Sequence, residues 1–124
     1  MFIVISPQNP DPMYKQVTDQ IKDAIASGAL LPETKLPSIR EMAKELKISM
    51  ITIKRAYADL ENEGYILTRS GLGSYIADIN RDTLRDEKLA EIRTELARIL
   101  AAAARYDISA DDIFSSLRGK GVKQ

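Results

Sequence analysis

Apolar residues in this chain recur with three different spacings. From Tyr14 onward, Tyr14, Val17, Ile21 and Ile25 return every three or four positions, the period of one helix face, and Ser27-Gly28 marks the stop. A second stripe, Ile39, Met42, Ala43 and Leu46, follows Ser38 and Glu41, whose spacing is that of a capping box. The tight turn Lys47-Ile48 leads to Ser49, a residue suited to cap a third helix whose inward face is Ile53, Ala56, Tyr57 and Leu60. Gly64 ends it. The pattern then shortens to strand-like Tyr65-Ile66-Leu67 and Tyr75-Ile76-Ala77, joined by Arg69-Ser70-Gly71-Leu72-Gly73, which reads as a hairpin.

Flanking segments carry weaker signals. Phe2-Ile3-Val4-Ile5 has the composition of a short strand, and Pro7, Pro10 and Pro12 then predict an extended arm. Leu30-Leu31-Pro32 opens a loop that closes at Pro37. After Asp78-Ile79-Asn80 the character changes. Leu89, Ile92, Leu96, Ile99 and Ala103 alternate in steps of three and four beside Glu91, Arg93, Glu95 and Arg98, the form of a helix–helix seam. Tyr106-Asp107 interrupts it. Ser109 and Asp112 start a short apolar helix with Ile113, Phe114 and Leu117, and residues 119–124 read as a frayed tail. The expected fold is mainly α with a small β-hairpin wing. A winged helix-turn-helix domain at 1–78 precedes a two-helix dimerisation segment at 79–124.

Chemistry is narrowed by what the chain lacks. With no cysteine and no histidine, thiolate and imidazole metal sites are missing, as is the commonest general base. No nucleophile–base set or phosphate loop is visible, so neither an enzyme nor a cofactor is expected. No apolar run approaches a membrane span and the start has no basic n-region, which points to the cytoplasm. Formal net charge is +0, but residues 35–81 carry eight Lys and Arg against six Asp and Glu. Affinity for nucleic acid would therefore depend on where a few cations stand.

A helix reads bases when its first turns reach the groove floor. Here those turns hold Ser49, Met50, Ile51, Thr52, Lys54 and Arg55. The hydroxyls and cations can bond phosphates or base edges, while Met50 and Ile51 offer only apolar contact. Arg40, early in the second helix, is positioned for a backbone phosphate. Arg69, Ser70 and Gly71 form the wing tip, which can enter a minor groove. Taken singly, each has a plainer reading: Ser49 caps a helix anyway, and Lys54 and Arg55 suit any solvated face. The seam could pack on the chain's own first three helices, but those already supply a self-sufficient stripe each, so a second copy is the favoured partner. A protein-binding winged helix and a sensor with a ligand between domains both stay open.

Several spaced motifs in order resemble one family. They are Met13-Tyr14-Lys15-Gln16-Val17, Ile25-Ala26-Ser27-Gly28-Ala29-Leu30, Leu36-Pro37-Ser38-Ile39-Arg40-Glu41-Met42-Ala43, Ser49 with Thr52, Ala56 through Ile66, and Arg69-Ser70-Gly71-Leu72-Gly73-Ser74-Tyr75. Together they are similar to the winged-helix domain of GntR-type bacterial transcription regulators, over about residues 13 to 77. The short remainder resembles the YtrA-type subfamily. That resemblance implies a homodimer that binds double-stranded DNA, usually as a repressor and often linked to transporter operons. It implies DNA-binding roles for Arg40, Ser49, Thr52, Lys54 and Gly71. A small-molecule effector stays open. The chain departs from the family pattern twice. Met50 stands where Arg is usual, which removes a cation the family brings to a base or phosphate and leaves the operator preference open. Pro32-Glu33 stands where Pro-Gly is usual, so that turn must form without glycine.

Overall fold

In the computed structural model, which describes residues 3–119, α1 (Met13–Ser27), α2 (Ile39–Leu46) and α3 (Met50–Asn62) precede a hairpin of β1 (Ile66–Arg69) and β2 (Gly73–Ile76). Two further helices follow, α4 (Arg81–Ala104) and α5 (Ala110–Gly119). The chain divides into two compact units, residues 1–84 and 85–124.

The first unit is built on one apolar cluster. Val17, Ile21 and Ile25 from α1, Met42 and Ala43 from α2, and Ile53, Ala56, Tyr57 and Leu60 from α3 meet Ile66 and Ile76 of the hairpin. Each helix contributes the stripe its spacing predicted, although Tyr14, Ile39 and Leu46 at the stripe edges are half-buried. Leu84, in the first turn of α4, joins the same cluster. Asn80 caps that turn through Asp82 N–H, and Arg81 donates to the Ala26 carbonyl at 2.9 and 3.2 Å, tying the start of α4 to the end of α1.

Helix ends follow local chemistry. Ser38 and Glu41 form the full capping box at the start of α2, with bonds of 3.1 and 2.8 Å. At its other end Lys47 takes a left-handed conformation, φ 59°, and Ile48 N–H reaches back to the Ala43 carbonyl. The helix-turn-helix corner is therefore made without glycine.

The hairpin strands lie further toward the tip than their apolar triplets predicted. The pairing runs Ile66–Ile76, Leu67–Tyr75, Thr68–Ser74 and Arg69–Gly73, so Arg69 and Gly73 belong to strands. Leu72 N–H donates to the Arg69 carbonyl across the turn, and Gly71 supplies its positive φ of 74°. The loop before α2 adds a third line of pairing. Glu33 and Leu36 N–H donate to Ile76 and Ser74 carbonyls, Ile76 N–H donates to the Thr34 carbonyl, and Lys35 bridges Tyr75.

The expected strand at 2–5 does not form. Phe2 lies outside the described residues, and residues 3–6 have no regular secondary structure. Their backbone is bound instead by glutamines of α1. Gln20 accepts from Val4 N–H at 3.0 Å and returns a bond to the Val4 carbonyl at 2.8 Å, while Gln16 accepts from Ser6 N–H at 2.9 Å. A primary amide offers the same donor–acceptor pair as a strand edge, so two side chains do the work of a ladder.

In the second unit α4 continues through the Ala101–Ala104 run and ends in a left-handed Asp107, φ 61°. Ile108 N–H bonds the Ala103 carbonyl and Asp107 N–H that of Ala104, a Schellman-type stop with aspartate in the glycine position. Ser109 and Asp112 then exchange bonds of 3.0 and 2.9 Å, the predicted capping box of α5. Gly119, expected to open the tail, is instead the last residue of α5, and the rest of the expected tail lies outside the described residues.

Candidate nucleic-acid interface

Ser49 has extended φ and ψ, and its Oγ accepts from Thr52 N–H at 3.1 Å and lies 2.8 Å from Thr52 Oγ1. The first turn of α3 is thereby closed by two hydroxyls that stay on the surface. Met50 and Ile51 follow, 48% and 80% exposed. Ile53, one residue before Lys54, is fully buried and anchors this end to the core. The result is a rigid helix start whose outward side is polar at the cap and apolar just beyond.

The predicted cations divide into two kinds. Arg40 and Lys54 are exposed and have no hydrogen bond, ion pair or ring contact among the described residues. Both can reach an outside anion. Arg55 is engaged: its guanidinium lies 3.7 Å from the centroid of the Tyr14 ring, with Asp59 at 4.0 Å. Arg69 is engaged more tightly. Its Nη2 donates to Glu33 Oε2 at 2.6 Å and its guanidinium lies over the Tyr75 ring at 4.5 Å. The Glu33 carboxylate holds that guanidinium charged even more firmly than usual. Ser70 and Gly71 form the exposed turn beside it.

Sequence reasoning missed these internal partners. Arg55 and Asp59 stand at i,i+4, a readable signal, but Tyr14 lies 41 positions earlier. Glu33 was noted only for its backbone. It takes φ 68°, as a residue in a glycine position must, and its side chain then reaches the wing.

Behind the exposed face, polar bonds fix the frame. Tyr57 donates its hydroxyl to the Pro37 carbonyl at 2.7 Å, locking α3 to the loop before α2, and burial pushes its phenol well above the usual range. Glu61 accepts from Thr68 N–H at 3.1 Å, joining α3 to β1. Lys22 of α1 pairs with Glu63 at 2.9 Å. Glu41, bonded to Ser38 N–H, has its carboxyl held below the ordinary value.

A short polar-capped helix presented by a three-helix core with an adjoining wing is the arrangement of a winged helix-turn-helix. Residues 13–76 match the family described as "Bacterial regulatory proteins, gntR family". This chain belongs to the gntR family. Its members are transcription regulators that bind DNA, not enzymes. The HTH-type transcriptional repressor YtrA of Bacillus subtilis (strain 168) is 36% identical over 101 residues, covering 82% of this chain and 78% of that one. That likeness extends beyond the DNA-binding domain, and the chain falls in the YtrA-type branch. A GntR family transcriptional regulator from Listeria monocytogenes superposes with a TM-score of 0.72 at 30% identity, covering 90% of this chain and 97% of that one. The structure of AraR(DBD) in complex with operator ORX1 superposes at 0.53 with 31% identity, covering 59% of this chain and 90% of that one.

Within the second unit, Leu89, Ile92, Leu96 and Ile99 are between 36% and 53% exposed, and Ala103 is half-buried. Phe114 and Leu117 of α5 are also exposed. No helix among the described residues is long and apolar enough to cross a membrane.

Proposed function

We propose that this gntR-family regulator is a homodimeric repressor of the bacterial cytoplasm that binds a palindromic operator. In this reading residues 1–78 bind DNA and residues 79–124 pair two copies through Leu89, Ile92, Leu96, Ile99 and Ala103. The two α3 starts then enter the major groove at half-sites about 10–10.5 bp apart or at a similar spacing. Ser49, Thr52, Lys54 and Arg55 meet phosphates and base edges, Met50 and Ile51 meet thymine methyls, and Arg40 meets the backbone. The wing residues Arg69, Ser70 and Gly71 face the adjacent minor groove.

One observation carries the reading. The exposed start of α3 and the neighbouring first turn of α2 hold Lys54 and Arg40, two cations with no partner among the described residues. The names of YtrA as a repressor and AraR(DBD) as an operator binder support it. Selection of bound sequences from random duplex DNA supplies the operator, and gel shift then tests the site. An Arg40→Ala, Lys54→Ala double variant loses operator binding; if it binds as the wild type does, the assignment fails.

A shallow, open hollow of about 340 Å³ lies beside Gln20, Asp23, Ala24, Ser27 and Ala29 on the DNA-binding unit. The apolar cavity lined by Ile25, Leu30, Pro32, Ile76 and Ile79 encloses about 60 Å³. Ligand pockets are usually about 300 Å³ or more. The tighter cavity is too small for a regulatory metabolite, and thermal shift against a metabolite panel tests for an effector at the open hollow or between copies.

A further inference from the structure

Of the cations on the proposed DNA face, Arg69 alone is held by a hydrogen-bonded carboxylate from a distant part of the chain, 36 positions away. Glu33, Lys35 and Arg69 stand near Tyr75 on the outer face of the hairpin, where Lys35 is the bridge partner of Tyr75. Both members of the Glu33–Arg69 pair are open to solvent, with side chains 61% and 42% exposed. Nothing in the packing forces the contact. Glu33 also adopts φ 68°, a left-handed conformation that strains any residue with a Cβ. Its N–H is committed to the Ile76 carbonyl at 2.8 Å, so the backbone is fixed and the side chain is aimed from a rigid point. The Arg69 guanidinium also lies over the Tyr75 ring, 4.5 Å from its centroid.

We propose that Glu33 is an intramolecular competitor for the wing arginine, standing where a DNA phosphate would otherwise bind and setting how strongly the protein holds unrelated DNA. This rests on the reading of the wing as a DNA contact. A carboxylate and a phosphate both offer a guanidinium anionic oxygens to bond, so the two compete for the same donor. While Glu33 occupies Arg69, the wing brings one cation fewer to any duplex. Non-specific binding, which depends almost wholly on cation–phosphate contacts, loses most. A correctly seated operator has base contacts from α3 to hold the wing against its phosphates, so displacement of Glu33 is favoured there. Specificity thus gains from a residue that never touches DNA.

The test uses full-length protein, an operator recovered by selection, and an unrelated duplex of equal length. Glu33→Gln keeps the shape and removes the charge. It is expected to tighten binding to the unrelated duplex about three- to tenfold and to steepen its log–log salt dependence by about 0.9, one added phosphate contact. Binding to the operator tightens less, so discrimination falls. In an Arg69→Ala background the same substitution changes binding to the unrelated duplex less than about twofold, because the competitor has lost its target. Glu33→Gly, which accepts the positive φ without strain, repeats the result if Glu33→Gln folds poorly. An equal gain in the Arg69→Ala background would mean simple repulsion between Glu33 and DNA and overturn the proposal, as would no gain at all. If the wild type retains its operator while Glu33→Gln alters nothing, only this inference fails. If no form binds any duplex, the proposed function fails with it.

Discussion

Val17, Ile21, Met42, Ile53, Leu60, Ile66 and Ile76 of the first unit are fully sealed by their own chain, whereas Leu89, Ile92, Leu96 and Ile99 of the second lie at least one-third open. Both sets have helical or strand periodicity of similar quality. The difference lies in what each periodicity has to pack against. Three helices and a hairpin fold over one another and close a core around α3. One long helix and one short one leave their apolar side chains facing outward, where a second copy can cover them. Periodicity therefore says that a face is to be buried, and only the tertiary arrangement says whether the chain itself buries it.

The contrast is broken most severely by charging the open face. Leu96→Asp with Ile99→Asp should leave the first unit folded, convert the protein to monomer in sedimentation, and weaken operator binding about 10²–10⁴-fold through lost bivalency. The same kind of damage inside the sealed core acts on folding instead. Met42→Ala should destabilise the protein by about 2–5 kcal/mol in urea unfolding, with dimer contacts untouched.

Smaller changes sharpen the account of the exposed edge of the sealed unit. Lys54→Ala should cost about 1–3 kcal/mol on the selected operator and relax preference at one base position. Arg40→Ala should weaken all duplexes alike and lower the salt slope by about 0.9. Ser49→Ala removes the α3 cap and should cost about 1 kcal/mol of stability. The smallest effect is on pH dependence. The Glu41 carboxyl sits below its unfolded value because it accepts from Ser38 N–H. Its contribution is therefore present above about pH 4.3, the unfolded value, and is lost as pH falls through the folded one. Glu41→Gln should consequently show a flatter loss of melting temperature with acid than the wild type.

Much of the first unit could be read directly. Caps at Ser38, Ser49 and Ser109 announce themselves because the interaction is local, spanning three residues. The stripes of α1, α2 and α3 follow from spacing alone. What escaped reading depends on distant partners. Residues 3–6 have strand composition, yet no strand is within reach, and Gln16 and Gln20 satisfy their backbone instead. The strands reach further toward the tip than their apolar triplets because cross-strand pairing at Arg69–Gly73 outweighs the polar character of those residues. Within the proposed interface, the cap of α3 and the exposure of Lys54 and Arg40 were legible. The capture of Arg69 by Glu33 was not, since 36 residues separate them and only the fold brings them together.

The central claim is that two copies joined through α4 present two α3 helices to one operator. Sedimentation equilibrium of the purified protein on a selected, fluorescently labelled duplex measures this directly, because each chain adds 13.8 kDa. The account predicts two chains per duplex at saturation and two per particle without DNA at micromolar concentration. One chain per duplex, bound at full affinity by a protein that is monomeric in solution, would contradict it.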